Sequence, residues 1–372
     1  MRVAYLSTDA GIPVGGTKGA SVHVAEICRA LAAEGNEVLV LAQSINAGTA
    51  SPPGVTVEPL PSMGNDASLH ARLSFQPELA RWLVERLRAF DAELLYERLA
   101  LHSVAGTVAA RSAGIAYLVE LNAPLPEEAA RYRKLDQPEA ATGMESQTLA
   151  GADAILAVSS PLAAYAASRG ARRVEVVQNA ADVDRYPRRR RGNAPPVAVF
   201  VGSLRPWHGI DTIARAWRLL NGKAPPLLVV GDGPERRLLD GLAVRITGAI
   251  APARVPELLA EVDIGLAPYA SDTPRYFSPL KLFEYLAAGL ATVVADLPAA
   301  CELVDPDSAM VIAAGDAETL ADAVATLLND PVRRHELGDN GRALIEAGHT
   351  WRHRARRIIE LAHELAPAGA VR

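Results

Sequence analysis

The stretch RYFSPLKLFEYLAAGLATVVA, residues 275–295, decides how the chain is read. Pro279 stands at a first helical turn, Gly289 just past a helix end, and the apolar run TVVA follows at once. Proline starts a helix well because its missing N–H is not needed there, and glycine ends one without steric cost. The spacing predicts a helix through Ala288, a stop at Gly289 and a buried strand, one turn of an α/β unit. Ser278, the amides of Leu280 and Lys281, and the Lys281 side chain fall at the helix N-terminus, where an anion is favoured. Glu284 comes one turn later among apolar residues. It is either a half-exposed surface glutamate or part of a ligand site.

Outward from this stretch the same alternation repeats. VAVFVGSL, LLVVGDG, VRITG, DIGLAPY and MVIAA read as strands, with helices at 316–329 and 331–347 and another from Pro234 to about Leu242. Continuous apolar runs such as VAVFV and LLVV mark strands covered on both faces. Before them, ADVDRYPRRRRGNAPP (181–196) has almost nothing to bury and reads as an interdomain linker. Its four arginines at 188–191 read as solvated, and Asp182 and Asp184 read as turn and capping residues rather than a metal-binding D-x-D.

The first half opens with strand VAYLST (3–8), a loop containing Gly15, Gly16 and Gly19, a helix ending at Gly35, and strand EVLVLA (37–42). This is a Rossmann-like opening, although the glycines do not fit G-x-G-x-x-G. The loop either lets backbone amides approach a phosphate or simply needs positive φ. VTVEPL reads as an edge strand, and a helix follows Pro77. AELLYERL, AYLVELNAP, ADAILAVS and VEVVQNA read as further strands, with one long polar helix from about Pro126 to Ala150. Polar residues recur just beyond strand C-termini, where open α/β sheets bind ligands. The helix carrying Arg72, Arg81, Arg86 and Arg88 with Trp82 and Leu83 reads as an ordinary solvated face, because Glu78 and Glu85 interrupt its charge.

Composition sets limits. At 372 residues the chain is too long for one ordinary core. Apolar content of 49% with 22% charged is that of a soluble globular protein, and a net charge of −5 gives no general attraction to nucleic acid. Cys28 and Cys301 have no zinc or disulfide spacing. The first residues, MRVAYLSTDAG, hold too short an apolar run for a signal peptide, and no stretch approaches a membrane span. The expected location is cytoplasmic.

VAVFVGSLRPWHGID, VVGDGPE, RITG, DIGLAPY, FSPLKLFEYLAAG and VVQNAADVDRYP resemble the signature segments of bacterial family-4 glycosyltransferases. PVGGTKGASVHV and the YERLALHSVAG…VELNAPLPEEA region extend the resemblance over nearly the whole chain. It implies a GT-B fold: two tandem Rossmann-like domains facing each other across a cleft. Residues 1–182 form the acceptor-binding domain, 183–350 the donor-binding domain, and a C-terminal helix within 351–372 packs back on the first. It also implies a retaining transfer from a nucleotide-diphosphate sugar, UDP before GDP, to a small-molecule, glycan or lipid-linked hydroxyl, with no bound metal. No nucleic-acid partner is implied, and peripheral membrane contact is not favoured.

Carried over by position, the resemblance puts Gly15, Gly16, Ser203, Arg205, His208, Gly231, Ile250, Tyr276, Phe277, Ser278, Pro279, Leu280, Lys281 and Glu284 at the donor. Lys18, Glu97, Arg98 and Asn122 fall on the acceptor side. Ser203 stands where relatives commonly have Arg, and His208 replaces a Lys, which makes its charge a matter of pH. Tyr276 replaces the first of two glutamates eight apart; Glu284 is the second and holds the ribose. Arg205 and Lys281 are the expected stabilisers of the departing diphosphate, with Asn122 at the transferred sugar. The acceptor hydroxyl attacks from the same face, and the departing phosphate oxygen takes its proton. Glu120 is the one candidate nucleophile for a double displacement. Rival readings are a GT-B epimerase or phosphorylase, and a non-catalytic nucleotide-sugar binder.

Overall fold

The computed structural model describes residues 1–48, 51–62, 68–187 and 195–365. Residues 49–50, 63–67, 188–194 (with the four arginines at 188–191) and 366–372 lie outside the described residues. The chain divides into two compact units, Met1–Gln178 with Arg352–Arg372, and Asn179–Trp351. Among the described residues no helix is long and apolar enough to cross a membrane.

In the first unit β1 (Arg2–Ser7) leads through the glycine loop into α1 (Gly19–Ala33), which returns to β2 (Glu37–Ala42) and the edge strand β3 (Val55–Pro59). Then follow α2 (Leu69–Ala89), β4 (Leu94–Arg98), α3 (Ala105–Ala113) and β5 (Ala116–Leu121). The half ends with α4 (Leu125–Tyr132), α5 (Pro138–Gly151), β6 (Ala154–Ala157), α6 (Ser160–Ser168) and β7 (Val174–Val176). Seven parallel strands lie in the order β3-β2-β1-β4-β5-β6-β7, so the strand order reverses at β1 and β4. The C-terminal ends there are the expected ligand edge of such a sheet.

Two readings of helices need correcting. α2 begins at Leu69, not after Pro77, because Ser68 caps it by accepting from the Ala71 amide, and Pro77 lies inside the helix. The polar helix expected over 126–150 is two helices: Gln137 takes φ +52° and Pro138 starts the second. A proline at a first turn fits a new start better than an interior position.

The second unit begins with a 3-10 turn, Val183–Arg185, capped by Asp182, whose side chain accepts from the Asp184 amide. The D-x-D is thus a cap. Next come β8 (Ala198–Val201), α7 (Ile210–Leu219), β9 (Leu227–Val230), β10 (Val244–Ile246), α8 (Val255–Leu259) and β11 (Ile264–Ala267). These are followed by α9 (Leu280–Ala287), β12 (Ala291–Ala295), α10 (Pro298–Cys301), β13 (Met310–Ile312), α11 (Ala317–Asn329) and α12 (Pro331–Gly348). The Pro234 segment, expected as a helix to Leu242, is a 3-10 stretch ending at Leu239. Six parallel strands run β10-β9-β8-β11-β12-β13, with the reversal at β8 and β11. Both faces of the sheet are covered, which is why its strands read as unbroken apolar runs.

α13 (Trp351–Leu365) belongs to the first unit from Arg352 onward. Arg356 donates to Glu34 at 2.7 Å, and Arg357 donates to Glu175 at 2.8 and 2.9 Å. Ala355, Ile358, Leu361 and Ala362 form its buried stripe.

Candidate functional site

The second unit carries a cationic site at its strand reversal. Pairing between β8 and β11 stops at Gly265↔Val199, and the Tyr285 hydroxyl bridges the strands beyond that point. It accepts from the Val201 amide at 2.7 Å and donates to the Leu266 carbonyl at 3.4 Å. A Cβ at Gly265 would stand 2.6 Å from the Tyr285 ring, so glycine is required for this anchor. Tyr285 thereby fixes α9, and with it the residues at the helix start.

The loops after β8 and β9 also touch. Gly231 has φ +146°, and a Cβ there would lie 2.0 Å from the Gly202 carbonyl oxygen. Leu204 donates to the Asp232 carbonyl at 3.0 Å. The 202–209 loop is therefore held, with Ser203 and Arg205 exposed on it. The Arg205 guanidinium lies 6.0 Å from the Trp207 ring, and the side chain makes no hydrogen bond among the described residues.

Lys281 comes to the same place from α9. It is 8% exposed, and its Nζ has no hydrogen-bond partner among the described residues. Nζ stands 4.0 Å from the centre of the Phe200 ring and 5.3 Å from that of Tyr269. Burial pushes its pKa down to about 7, against a smaller opposing pull from Glu284. The amides of Leu280 and Lys281 also donate to nothing among the described residues, while the Leu282 amide donates to Pro279. Every one of these groups is a donor or a cation. The arrangement suits a polyanion.

His208 is placed differently from the expectation. Its Nδ1 donates to the Ser203 carbonyl at 2.5 Å, and its ring lies about 6 Å from those of Phe200, Trp207, Tyr269 and Phe277. Burial, together with Lys281 and Arg205, lowers its pKa to about 3, so the ring is neutral at neutral pH. It shapes the loop rather than supplying a charge that switches near neutrality.

The segment after Gln178 supports α9. Asn179 Nδ2 donates to the Ser278 carbonyl and hydroxyl oxygens at 3.0 and 3.2 Å. The Tyr186 hydroxyl donates to Glu284 Oε1 at 3.1 Å, and Arg342 ties the Val183, Tyr186 and Ala287 carbonyls together. Tyr276, Phe277, Ser278 and Leu280 are half-buried around this end, Pro279 is buried, and Ile250 packs on the adjoining core.

The first unit holds a second cluster, at the reversal of its own sheet. Ser7 pairs with Arg98 and Arg98 with Glu120, while Tyr5 pairs with Tyr96. Because side chains alternate, Tyr5, Tyr96, Arg98 and Glu120 share one face and Glu97 the other. His23 of α1 covers the first face. Glu120 is 2% exposed. Its Oε2 accepts from His23 Nε2 and the Tyr96 hydroxyl, both at 2.7 Å, and its Oε1 accepts from Arg98 at 2.6 Å and Asn122 Nδ2 at 2.5 Å. Burial raises its carboxyl pKa, but His23, Arg98 and Tyr96 outweigh that and hold it well below the carboxylate range.

Several expected contacts are corrected here. Glu120, proposed as a nucleophile, has both oxygens occupied. Arg98, expected at the acceptor, is 8% exposed and spent on Glu120. Glu97 is fully buried on the opposite face, where it accepts from Tyr117 at 2.6 Å. Lys18 donates to the Gly11 carbonyl at 3.2 Å. Gly16 spends its amide on Pro13, and Gly15 takes φ +78°, so the loop is a turn first; the α1 start beyond it has no side-chain cap. His23, Tyr96, Asn179, Tyr186 and Tyr269 were not singled out in the sequence. For Tyr96 the strand alternation carried the signal; the others become visible only through tertiary packing.

Residues 17–185 match Glycosyltransferase Family 4, and residues 195–330 match Glycosyl transferases group 1. The chain is 27% identical over 177 residues to a GDP-mannose-dependent monoacylated alpha-(1-6)-phosphatidylinositol monomannoside mannosyltransferase of Corynebacterium glutamicum. The match spans 45% of this chain and 46% of that relative, less than half of each. Among solved structures, sucrose-phosphate synthase from Thermosynechococcus elongatus aligns with a TM-score of 0.77 at 17% identity, covering 97% of this chain and 98% of that one. Anabaena HepE in complex with UDP-glucose aligns with a TM-score of 0.70 at 19% identity, covering 97% and 99%. At these identities the structural matches speak to the fold.

Proposed function

The chain belongs to the family-4 glycosyltransferases of GT-B architecture, and on that premise we propose that it moves a sugar from a nucleotide-diphosphate sugar to a hydroxyl acceptor with retention of configuration. The observation that carries this reading is the Lys281 amine, buried and unpartnered beside free helix amides and the exposed Arg205. A diphosphate supplies the negative charge this set lacks. Breaking the anomeric bond leaves more negative charge on the diphosphate, and groups aimed there favour the transition state over the bound donor. Positive charge from the chain itself then does the work of a divalent cation, and the reading is metal-independent. Glu284, steadied by Tyr186, faces the ribose.

Retention follows a same-face route in this reading. Double displacement needs a carboxylate free to attack, and both Glu120 oxygens are already engaged. The acceptor hydroxyl attacks as the diphosphate leaves, and the leaving phosphate oxygen accepts its proton. The UDP-glucose complex of the Anabaena neighbour supports a uridine donor, and the Corynebacterium relative's name supports a guanosine one.

The test is release of UDP from UDP-glucose and of GDP from GDP-mannose in EDTA, alone and with a panel of sugar and lipid alcohols. Product with one nucleotide, abolished by Lys281→Met with Arg205→Ala, is expected. Tight nucleotide binding without turnover across the panel would leave a binding protein instead.

A further inference from the structure

The Lys281 amine stands where no ligand reaches it. Its Nζ is closed off from solvent and donates to nothing among the described residues. Three walls of the second unit surround it. The centre of the Phe200 ring is 4.0 Å away and that of Tyr269 5.3 Å, and a Cβ at Gly202 would lie 3.1 Å from it, so bare backbone forms the third side. Phe200 is fully buried and Tyr269 is 1% exposed, each within a core layer of the sheet. A diphosphate cannot follow the amine inward, because rings and core offer no donors to its oxygens. Contact requires the amine to come out. Its flexible stem starts at the second position of α9, next to the free amides of Leu280 and Lys281. Tyr269 is held in place at a cost: its φ is +36°, rare for an aromatic residue, and Gly315 donates to its carbonyl at 2.9 Å. Such strain persists where surrounding structure imposes it, most often at ligand sites.

Resting on the transferase reading above, we propose that Phe200 and Tyr269 are positioning residues that seat the Lys281 amine against their rings, and that the donor's diphosphate draws it off this seat onto its own oxygens. A ring face attracts an ammonium without occupying any of its N–H groups. Diphosphate oxygens accept from those groups directly, in stronger charge-assisted bonds. The amine therefore moves outward when the diphosphate binds and returns when it leaves. A carboxylate seat would compete with the phosphate for the same N–H groups; a ring competes only weakly. Phe200 and Tyr269 act here through Lys281, without touching the donor.

The chain's lysines are Lys18, Lys134, Lys223 and Lys281, so lysine-selective ¹³C labelling gives a simple spectrum in which Lys281→Met assigns the signal of interest. In the free protein the ring current of Phe200 should shift the Lys281 εCH₂ signal upfield of the other lysines. Saturating UDP-glucose, or GDP-mannose if guanosine is the base that binds, should return it to the position of the others. Affinity gives a second readout. At pH 6, where the amine is largely charged, Phe200→Leu should tighten the donor about three- to fivefold by weakening the seat, and should have no such effect in Lys281→Met. If Phe200→Leu does not fold, the wild-type spectrum decides alone. A Lys281 signal that is not upfield in the free protein overturns the inference. Donor binding that leaves the signal upfield overturns it too, while the transferase reading stands. An equal loss of affinity on Phe200→Leu with and without Lys281 would make Phe200 a core residue only, which also overturns it. Failure of both sugar nucleotides to bind sinks the transferase reading, and this inference with it.

Discussion

Lys281 Nζ stands 4.0 Å from the centre of the Phe200 ring, its charge facing an aromatic surface instead of a carboxylate. A cation over a ring gains roughly 1–2 kcal/mol when desolvated, well short of what burial of a charge costs. The amine is therefore held in its charged form only weakly, which the fall of its pKa to about 7 reflects. This relationship makes the site's stability and its ligand affinity pull in opposite directions.

Lys281→Met should be at least as stable as wild type at pH 7, yet bind UDP or GDP tenfold or more weakly. The folded-state pKa lies below the ordinary 10.5, so charging the buried amine destabilises the native state below about pH 7, and the term fades as pH rises toward 10.5. Melting curves with and without nucleotide separate the two effects. A variant that loses stability while keeping affinity would contradict this.

Binding of the sugar nucleotide should take up a proton at Lys281. Its diphosphate has no terminal monoester to titrate near neutrality, so affinity should fall as pH rises above about 7, by up to tenfold per unit, and the dependence should vanish in Lys281→Met. The charged and titratable groups around this amine include His208 from the loop, Glu284 from α9 and Tyr269 after β11. Calorimetry between pH 7 and 9 measures the slope.

His208 should stay neutral down to strongly acidic pH. Its folded pKa near 3 lies below the ordinary 6.5, so the native state loses stability as pH falls between those values, by up to about 1.4 kcal/mol per unit. Histidine NMR signals assigned by His208→Gln should not shift between pH 8 and 5. A midpoint near 6.5 would show that the ring is not held as described.

Glu284→Ala should weaken nucleotide-sugar binding about tenfold and change stability by only about 1 kcal/mol, the cost of leaving Tyr186 without its acceptor. Tyr186→Phe should give a smaller loss in affinity. Isothermal titration and a melting curve check both. A collapse of the fold on removing Glu284 would assign it to the core.

The fold was legible because parallel strands covered on both faces leave unbroken apolar runs, and because Pro279 and Gly289 mark the helix that organises the second unit. Pro138 also signals a helix start, but the break at Gln137 depends on a positive φ that its sequence does not announce. The place of Lys281 at a helix start could be read from Pro279, whereas Arg205 and the ribose role of Glu284 were singled out only through the family resemblance. The engagement of Glu120 could not, since His23 reaches it from 97 positions away and the ionic network is closed by packing. Glu97 was expected on the acceptor side from its place at a strand end, but strand alternation turns it to the opposite face from Arg98, where it is buried against Gly106.

The measurement closest to the central claim is a thermal-shift titration with UDP, GDP, ADP and dTDP in EDTA, repeated with Mg²⁺ and with Lys281→Met. Selective binding to the native state raises the melting temperature by mass action. The account predicts a rise with UDP or GDP that is unchanged by Mg²⁺ and largely lost in Lys281→Met. No rise with any nucleotide, or a rise that requires Mg²⁺ and survives Lys281→Met, would contradict it.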